Sequence, residues 1–473
     1  MKGESAIGAQ GGGHLPDLVA GRRGWRGCRP AVPPDRNVPL AGVGSGVISF
    51  GTNEMTVTPL VREPGDPHAD ITSYDTYVGG FPHDAFRRLR TDEPVAWVED
   101  SDGSHLWAVT KHADVIEVSR DYHRFTASRG IRIEEMDPEE LEARRSMMEH
   151  DPPEHTRLRR LVQPGFTPRV TATYEAAFRK LVGMVLDRVV PLGEFDFVTE
   201  VARELPIRML CRLLGIPESD AGQMVAWGDQ MISNADPEYT PVIVDKMDTE
   251  EYRLLPFRSP AALDVFRYAE DIARERRAEP KDDIITTLLT SEPDGEPLTD
   301  LEFKNFFTLM MVAGNETTRH TISHGLIFLR DHPSQLETWR DDLTGRSERA
   351  TEEILRASSV TMHFRRTVVD DTEIRGVPVR AGDRVVIWYT SANYDEEVFE
   401  DPFLFDISRE PNPHVAFGTG RHVCLGASLA RLEVRVFFEE FLDRVQEFEV
   451  GQPDLLRSNF IRGIKHLPVR LGG

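Results

Sequence analysis

Phe417-Gly418-Thr419-Gly420-Arg421-His422-Val423-Cys424-Leu425-Gly426 is the stretch on which the reading of this chain turns. Glycines at 418, 420 and 426 flank a single cysteine, so the backbone there can pass close to a flat ligand and adopt positive φ. Downstream, Val434, Phe437, Phe438, Phe441 and Val445 recur at i, i+3, i+4, i+7 and i+11, which predicts a helix over Ala427 to Val445 with one apolar face. Cys424 then stands at a helix N-terminus, where the dipole and free N–H groups favour a thiolate. A free cysteine by itself is more often a small buried hydrophobe. The joint spacing F-G-x-G-x-H-x-C-x-G carries the argument, with Phe417 able to shield the sulfur.

This loop resembles the haem-thiolate loop of the cytochrome P-450 family of monooxygenases. A thiolate ligand pushes electron density onto iron and favours O–O cleavage. The resemblance therefore implies oxygen activation, haem b (iron protoporphyrin IX) as cofactor, Cys424 as the metal ligand, and Phe417, His422 and Gly426 among the cofactor-binding residues.

Upstream, Thr299-Asp300-Leu301-Glu302 reads as a capping box that opens a helix running to Asp331, before Pro333. Its middle holds Ala313-Gly314-Asn315-Glu316-Thr317-Thr318, where glycine and β-branched residues weaken the helix. On packing grounds alone, a small Ala-Gly pair admits a neighbouring element and Thr317 back-bonds to a carbonyl. A-G-x-E-T-T also resembles the family's oxygen-binding motif. The resemblance implies Gly314 against the haem and Thr317 and Glu316 as the catalytic pair, the hydroxyl facing the oxygen side and the carboxylate connecting to bulk protons.

Glu353-Ile354-Leu355-Arg356 puts a carboxylate and a guanidinium on one helical face. Such pairs are common on solvated helices. By resemblance Arg409 joins them in a structural cluster that braces the cysteine loop. The same resemblance implies that His155, Arg159, Arg366 and His422 meet the haem propionates, with Arg365 the competitor for Arg366. The family commonly has proline four residues after the E-x-x-R arginine, where this chain has Val360.

The chain has 473 residues and a formal net charge of −23. That acidic balance argues against nucleic acid as a partner. Cys28, Cys211 and Cys424 are too few and too scattered for a disulfide framework or a C-x-x-C metal site, which makes a reducing, cytoplasmic setting the expectation. No apolar run reaches the ~18 residues of a membrane span. Residues 1–54, rich in Gly, Pro and Arg, read as a disordered leader or over-extended gene start, and 55–473 as a single domain.

Further helices are predicted over Asp84–Arg90, Ala113–Ser119, His155–Val162, Tyr174–Val190, Val198–Leu214, Ala261–Arg277 and Asp283–Leu289. Two hairpins are predicted, Pro94–Glu99 with Leu106–Thr110 and Glu373–Val379 with Arg384–Tyr389. The fold class is mainly α (α+β), with a small sheet near the start.

What the resemblance implies is a monooxygenase that takes electrons from a ferredoxin and ferredoxin reductase and inserts one atom of O₂ into a C–H bond of a small hydrophobic substrate. A same-fold peroxygenase and a non-catalytic, gas-binding haem protein are the alternatives. Val312–Arg319, Asn234–Tyr239, Ser391–Glu396 and Gly463–Val469 resemble the actinobacterial branch acting on sterol side chains and methyl-branched lipids. Met310, Met311, Val312, Ala313, Val360, Met362 and Phe364 are the expected apolar pocket lining. Arg157, Arg421 and Arg431 are the expected basic patch for the redox partner.

Overall fold

The computed structural model describes residues 66–100, 102–290 and 298–472, so the expected leader over 1–54 lies outside the described residues. Its axis is the helix Asp300–Asp331, 32 residues and roughly 50 Å long. The capping box is formed: Thr299 Oγ1 accepts the Glu302 N–H at 3.2 Å, and Glu302 Oε2 accepts the Thr299 N–H at 2.7 Å. Every residue from Ile322 to Leu329 is buried, as a helix enclosed on all sides requires.

One apolar cluster joins the N-terminal half of this helix to Glu204–Leu214, Ala221–Ile232 and Ala261–Ala278. A second joins its C-terminal half to Glu175–Val189, Leu343–Ser358 and the helix after the cysteine loop, Ala427–Arg444. The crossing with Ala427–Arg444 is close. A Cβ on Gly325 would lie 2.4 Å from the Phe438 ring and 3.2 Å from Ile354.

The main sheet has five strands in the order Val95–Glu99, His105–Val109, Arg384–Trp388, His363–Val368 and Phe125–Thr126. The first expected hairpin is present, with Val95 opposite Val109. The second is not. Thr372–Ile374 folds back on Val377–Val379 instead, through Arg375-Gly376 at φ 51° and 77°, the pair of positive values that a two-residue hairpin turn uses. Arg384–Trp388 is buried along its whole length and lies in the sheet interior, antiparallel to His363–Val368 and parallel to His105–Val109. The sheet thus draws on both ends of the chain rather than on its start alone.

The predicted Val198–Leu214 helix is interrupted: a π turn over Val198–Ala202 precedes Glu204–Leu214. Pro138–Arg144, capped by Asp137, and Ala221–Ile232 are helices without a prior expectation. Among the described residues, no helix is long and apolar enough to cross a membrane.

Candidate active site

The cysteine loop packs against the end of the helix His112–Arg120. At Gly420, φ is 74° and a Cβ would come within 2.7 Å of the Ser119 carbonyl, so only glycine permits this approach. The loop closes where the Cys424 N–H donates to the Phe417 carbonyl at 2.9 Å. The Arg431 guanidinium lies 4.6 Å from the Phe417 ring centroid and is held by Glu352 at 2.6 and 2.9 Å.

Cys424 is open to a cavity of about 650 Å³. Burial pushes its thiol up, opposed by the Gly426 N–H and, at longer range, by Arg159 and Arg431. A metal ion on the sulfur deprotonates it outright.

The long helix supplies the facing wall through Val312, Ala313, Gly314, Glu316 and Thr317. The Thr317 hydroxyl donates to the Ala313 carbonyl at 3.0 Å, which leaves its oxygen as an acceptor. Gly314 reaches the cavity, but the space its missing side chain vacates faces Leu210, 3.3 Å from the ideal Cβ. Glu316 is engaged within the protein. Asn315 Nδ2 donates to its Oε1 at 3.0 Å, and Arg319 pairs with its Oε2. Arg319 in turn donates to Asp229 at 2.7 Å, and Asp229 pairs with the half-buried Arg203. Burial pushes the Glu316 carboxyl up against the opposing pull of Arg319.

A cationic corner adjoins the cysteine loop. The His155 and His422 rings lie 4.2 Å apart, and among the described residues none of their four nitrogens makes a hydrogen bond of normal geometry. Burial lowers them to about 4 and about 2, with Arg159 acting on both and Arg366 on His422. Arg366 is buried and donates to the Arg365 carbonyl at 2.7 Å, while neither it nor Arg159 forms an ion pair among the described residues. The neighbouring Arg365 is consumed by Glu135 at 3.1 Å and the Glu134 carbonyl at 3.0 Å. Buried cations and unmade histidine bonds beside a thiol fit a haem whose two carboxylates face this corner.

Behind the loop, Glu353 holds Arg356 at 2.7 and 2.8 Å and Arg409 at 3.2 and 3.3 Å. Arg356 also binds the Asn393 carbonyl at 2.9 Å, and Asn393 Oδ1 accepts the Val415 N–H at 2.7 Å. The cluster is thus tied to the segment that enters the cysteine loop.

Met310, Val312, Ala313, Val360 and Phe364 line the cavity, but Met311 and Met362 do not. Met311 joins the helical core, and Met362 packs with Phe86 and Trp388 under the sheet. Arg157 leaves the expected basic patch because its side chain is only 15% exposed and is shared between Glu154 and Glu302 at 2.6 and 2.9 Å, whereas Arg431, paired with Glu352, is 41% exposed. Glu433 was not anticipated. It is a buried carboxyl on the cavity wall, bonded to Thr318 and pushed well above its ordinary range by burial. A charged residue just before the apolar stripe that begins at Val434 was its only sequence signal.

The cytochrome P450 family profile matches residues 74–345 and 347–459. The chain is 38% identical over 407 residues to a steroid C26-monooxygenase of Mycolicibacterium smegmatis, covering 83% of this chain and 91% of that protein. It is 38% identical over 396 residues to a methyl-branched lipid omega-hydroxylase of Mycobacterium bovis, covering 81% and 90%. Among solved structures, a Mycobacterium marinum cytochrome P450, CYP268A2, in complex with pseudoionone superposes with a TM-score of 0.78 at 37% identity, over 87% of this chain and all of that one. The chain belongs to the cytochrome P450 family. It is accordingly a monooxygenase enzyme with a haem-thiolate cofactor.

Proposed function

We propose that this enzyme inserts one atom of O₂ into a C–H bond near the branched aliphatic end of a sterol, terpenoid or methyl-branched lipid. The observation that carries the reading is a single cavity lined at once by Cys424, by Thr317 and Glu316, and by apolar Met310, Val312, Val360 and Phe364. Haem b, when bound, supplies the oxygen-activating chemistry, with Cys424 as its ligand and His155, Arg159, Arg366 and His422 on its carboxylates. Phe417, Gly426 and the backbone of Gly314 contribute the surrounding surface.

Thr317 accepts a hydrogen bond from the cavity, because its own proton is committed to Ala313. It thereby holds a water or other donor in place for proton transfer. Glu316, tied through Arg319, Asp229 and Arg203 toward the surface, exchanges protons with solvent. The apolar lining excludes water and favours hydrocarbon over a charged sugar or nucleotide. The names of the steroid and branched-lipid relatives support the substrate class.

Electrons come from a ferredoxin with its reductase, docking near the cysteine loop around the exposed Arg421 and the partly exposed Arg431. Their transfer slows as salt rises, since charges at the surface are screened over about 8 Å at physiological ionic strength.

The test is a spectral titration of the ferric holoenzyme with sterols, methyl-branched and linear fatty acids, monoterpenoids and polar aromatics, followed by product analysis with a surrogate ferredoxin system. Tight responses and terminal hydroxylation among the sterols or branched lipids are expected. Turnover confined to polar aromatics would overturn the substrate assignment. A reduced, CO-bound spectrum lacking the thiolate signature would overturn the role of Cys424.

A further inference from the structure

His320 stands one turn beyond Glu316 on the long helix and is 1% exposed. Its Nδ1 accepts the Ile464 N–H at 3.1 Å. A backbone amide only donates, so Nδ1 keeps its lone pair and the proton of the neutral ring sits on Nε2. Among the described residues that Nε2 makes no hydrogen bond, and it lies 3.7 Å from Oε2 of Glu316. The separation exceeds the upper limit of an ordinary N–H···O distance by about 0.5 Å, which a small rotation of the carboxylate closes. A buried donor left unmade is costly, so the contact has a driving force. The ring is also backed firmly: a Cβ on Gly463 would come within 3.1 Å of Nε2 and 2.6 Å of Leu456.

We propose that His320 is a positioning residue for Glu316, a neutral imidazole locked in one tautomer that donates Nε2–H to the carboxylate and shares with Arg319 the task of holding its ionised form. The surroundings make a neutral donor useful. Arg319 on the same helix and Arg203 act on Glu316 as cations, Asp229 as an anion, and Asn315 as a neutral donor. Arg319, Asp229 and Arg203 also act on His320, while Tyr239 bears on Arg319, and His320 on the neighbouring His324. A carboxylate that leaves Arg319 to serve the cavity would otherwise be a buried, unpaired charge. His320, which faces the same Oε2 as Arg319, supplies a neutral donor to it without adding a second ion pair.

The role in proton delivery rests on Glu316 being the acid of the reaction; the contact itself does not. Two measurements on the carbon monoxide form of the reduced holoenzyme test it. In the ¹⁵N-histidine spectrum, His320 is expected as the neutral Nε2–H tautomer throughout the ordinary imidazole titration range, because burial holds it well below that range. A ring protonated on Nδ1, or one that titrates in this window, would overturn the proposal. In the infrared, the C=O stretch of protonated Glu316, assigned by its loss in Glu316→Gln, gives the pH midpoint of the carboxyl.

A hydrogen bond to the ionised form lowers that midpoint. His320→Phe should therefore raise it by about one pH unit, and His320→Gln, which keeps a donor, should restore most of the difference. An unchanged midpoint in the Phe variant would sink the idea. Should that variant fail to fold, the tautomer in the native protein decides. The infrared midpoint reports on the carboxylate whether or not Glu316 is the acid of the reaction, which coupling of NADPH to product in Glu316→Gln decides separately.

Discussion

Glu433 and Thr317 line one cavity and make different demands on protons. Burial holds the Glu433 carboxyl well above the ordinary range, and the Thr318 hydroxyl only partly opposes this. The unfolded chain ionises the same group near ~4.3. The folded state therefore binds the extra proton, and stability falls as pH rises from that value toward the raised folded one. Glu433→Gln removes the penalty. It is expected to raise Tm by about 2–4 °C at neutral pH and to match the native protein near pH ~4, as calorimetry at the two pH values would reveal. Thr317→Ala leaves the thiol and the cationic corner intact, so haem content should be unchanged. NADPH oxidation should continue while product per NADPH falls about tenfold. Undiminished coupling in that variant would remove Thr317 from the proton path.

The long helix crosses Ala427–Arg444 at close range. Gly325 makes it possible by leaving the Phe438 ring room that a Cβ would enter at 2.4 Å. Both side chains around the contact, Phe438 and Ile354, are fully buried. Gly325→Ala should therefore overpack the crossing, even though alanine favours helix, and cost about 1–3 kcal/mol. Urea unfolding measures the loss directly. An unchanged midpoint would mean the two helices slide apart without cost.

Across the whole molecule, ion pairs join segments distant in sequence. His466 bridges Asp196 and, at 2.7 Å, Glu238. Asp196 lies in the strand Glu194–Asp196, which pairs with Pro468–Leu471. Asp196 first and Glu238 second raise the imidazole to about 9. A raised folded value means the stabilisation is complete below the unfolded value of ~6.5 and lost as pH rises through about 9. The side chain is 42% exposed, so solvent screening reduces the effect to about 1 kcal/mol. His466→Gln is expected to lower unfolding free energy by that amount at pH ~6 and by nothing measurable at pH ~10. Equal losses at both values would show that the bridge acts by packing rather than by charge.

The sequence by itself determined the features written in short-range code. A capping box begins the long helix at Thr299, glycines mark the cysteine loop, and E-x-x-R sets Glu353 beside Arg356; each depends on residues within a few positions of one another. Legibility ended where partners are chosen across the fold. The strand read over Glu373–Val379 runs through Arg375-Gly376, where the chain in fact turns, and only the burial of Arg384–Trp388 on both faces assigned the latter strand to the sheet interior. Arg365 and Arg366 are equivalent in a string of residues; strand alternation sends one to Glu135 and leaves the other beside His422. The same holds for Met311 and Met362, withdrawn into cores, and for Arg157, taken by Glu302. Glu433 and His320 carried no periodic signal at all. What a side chain faces depends on packing between elements hundreds of residues apart, and neither spacing nor residue type encodes that contact. Only the tertiary structure decided it.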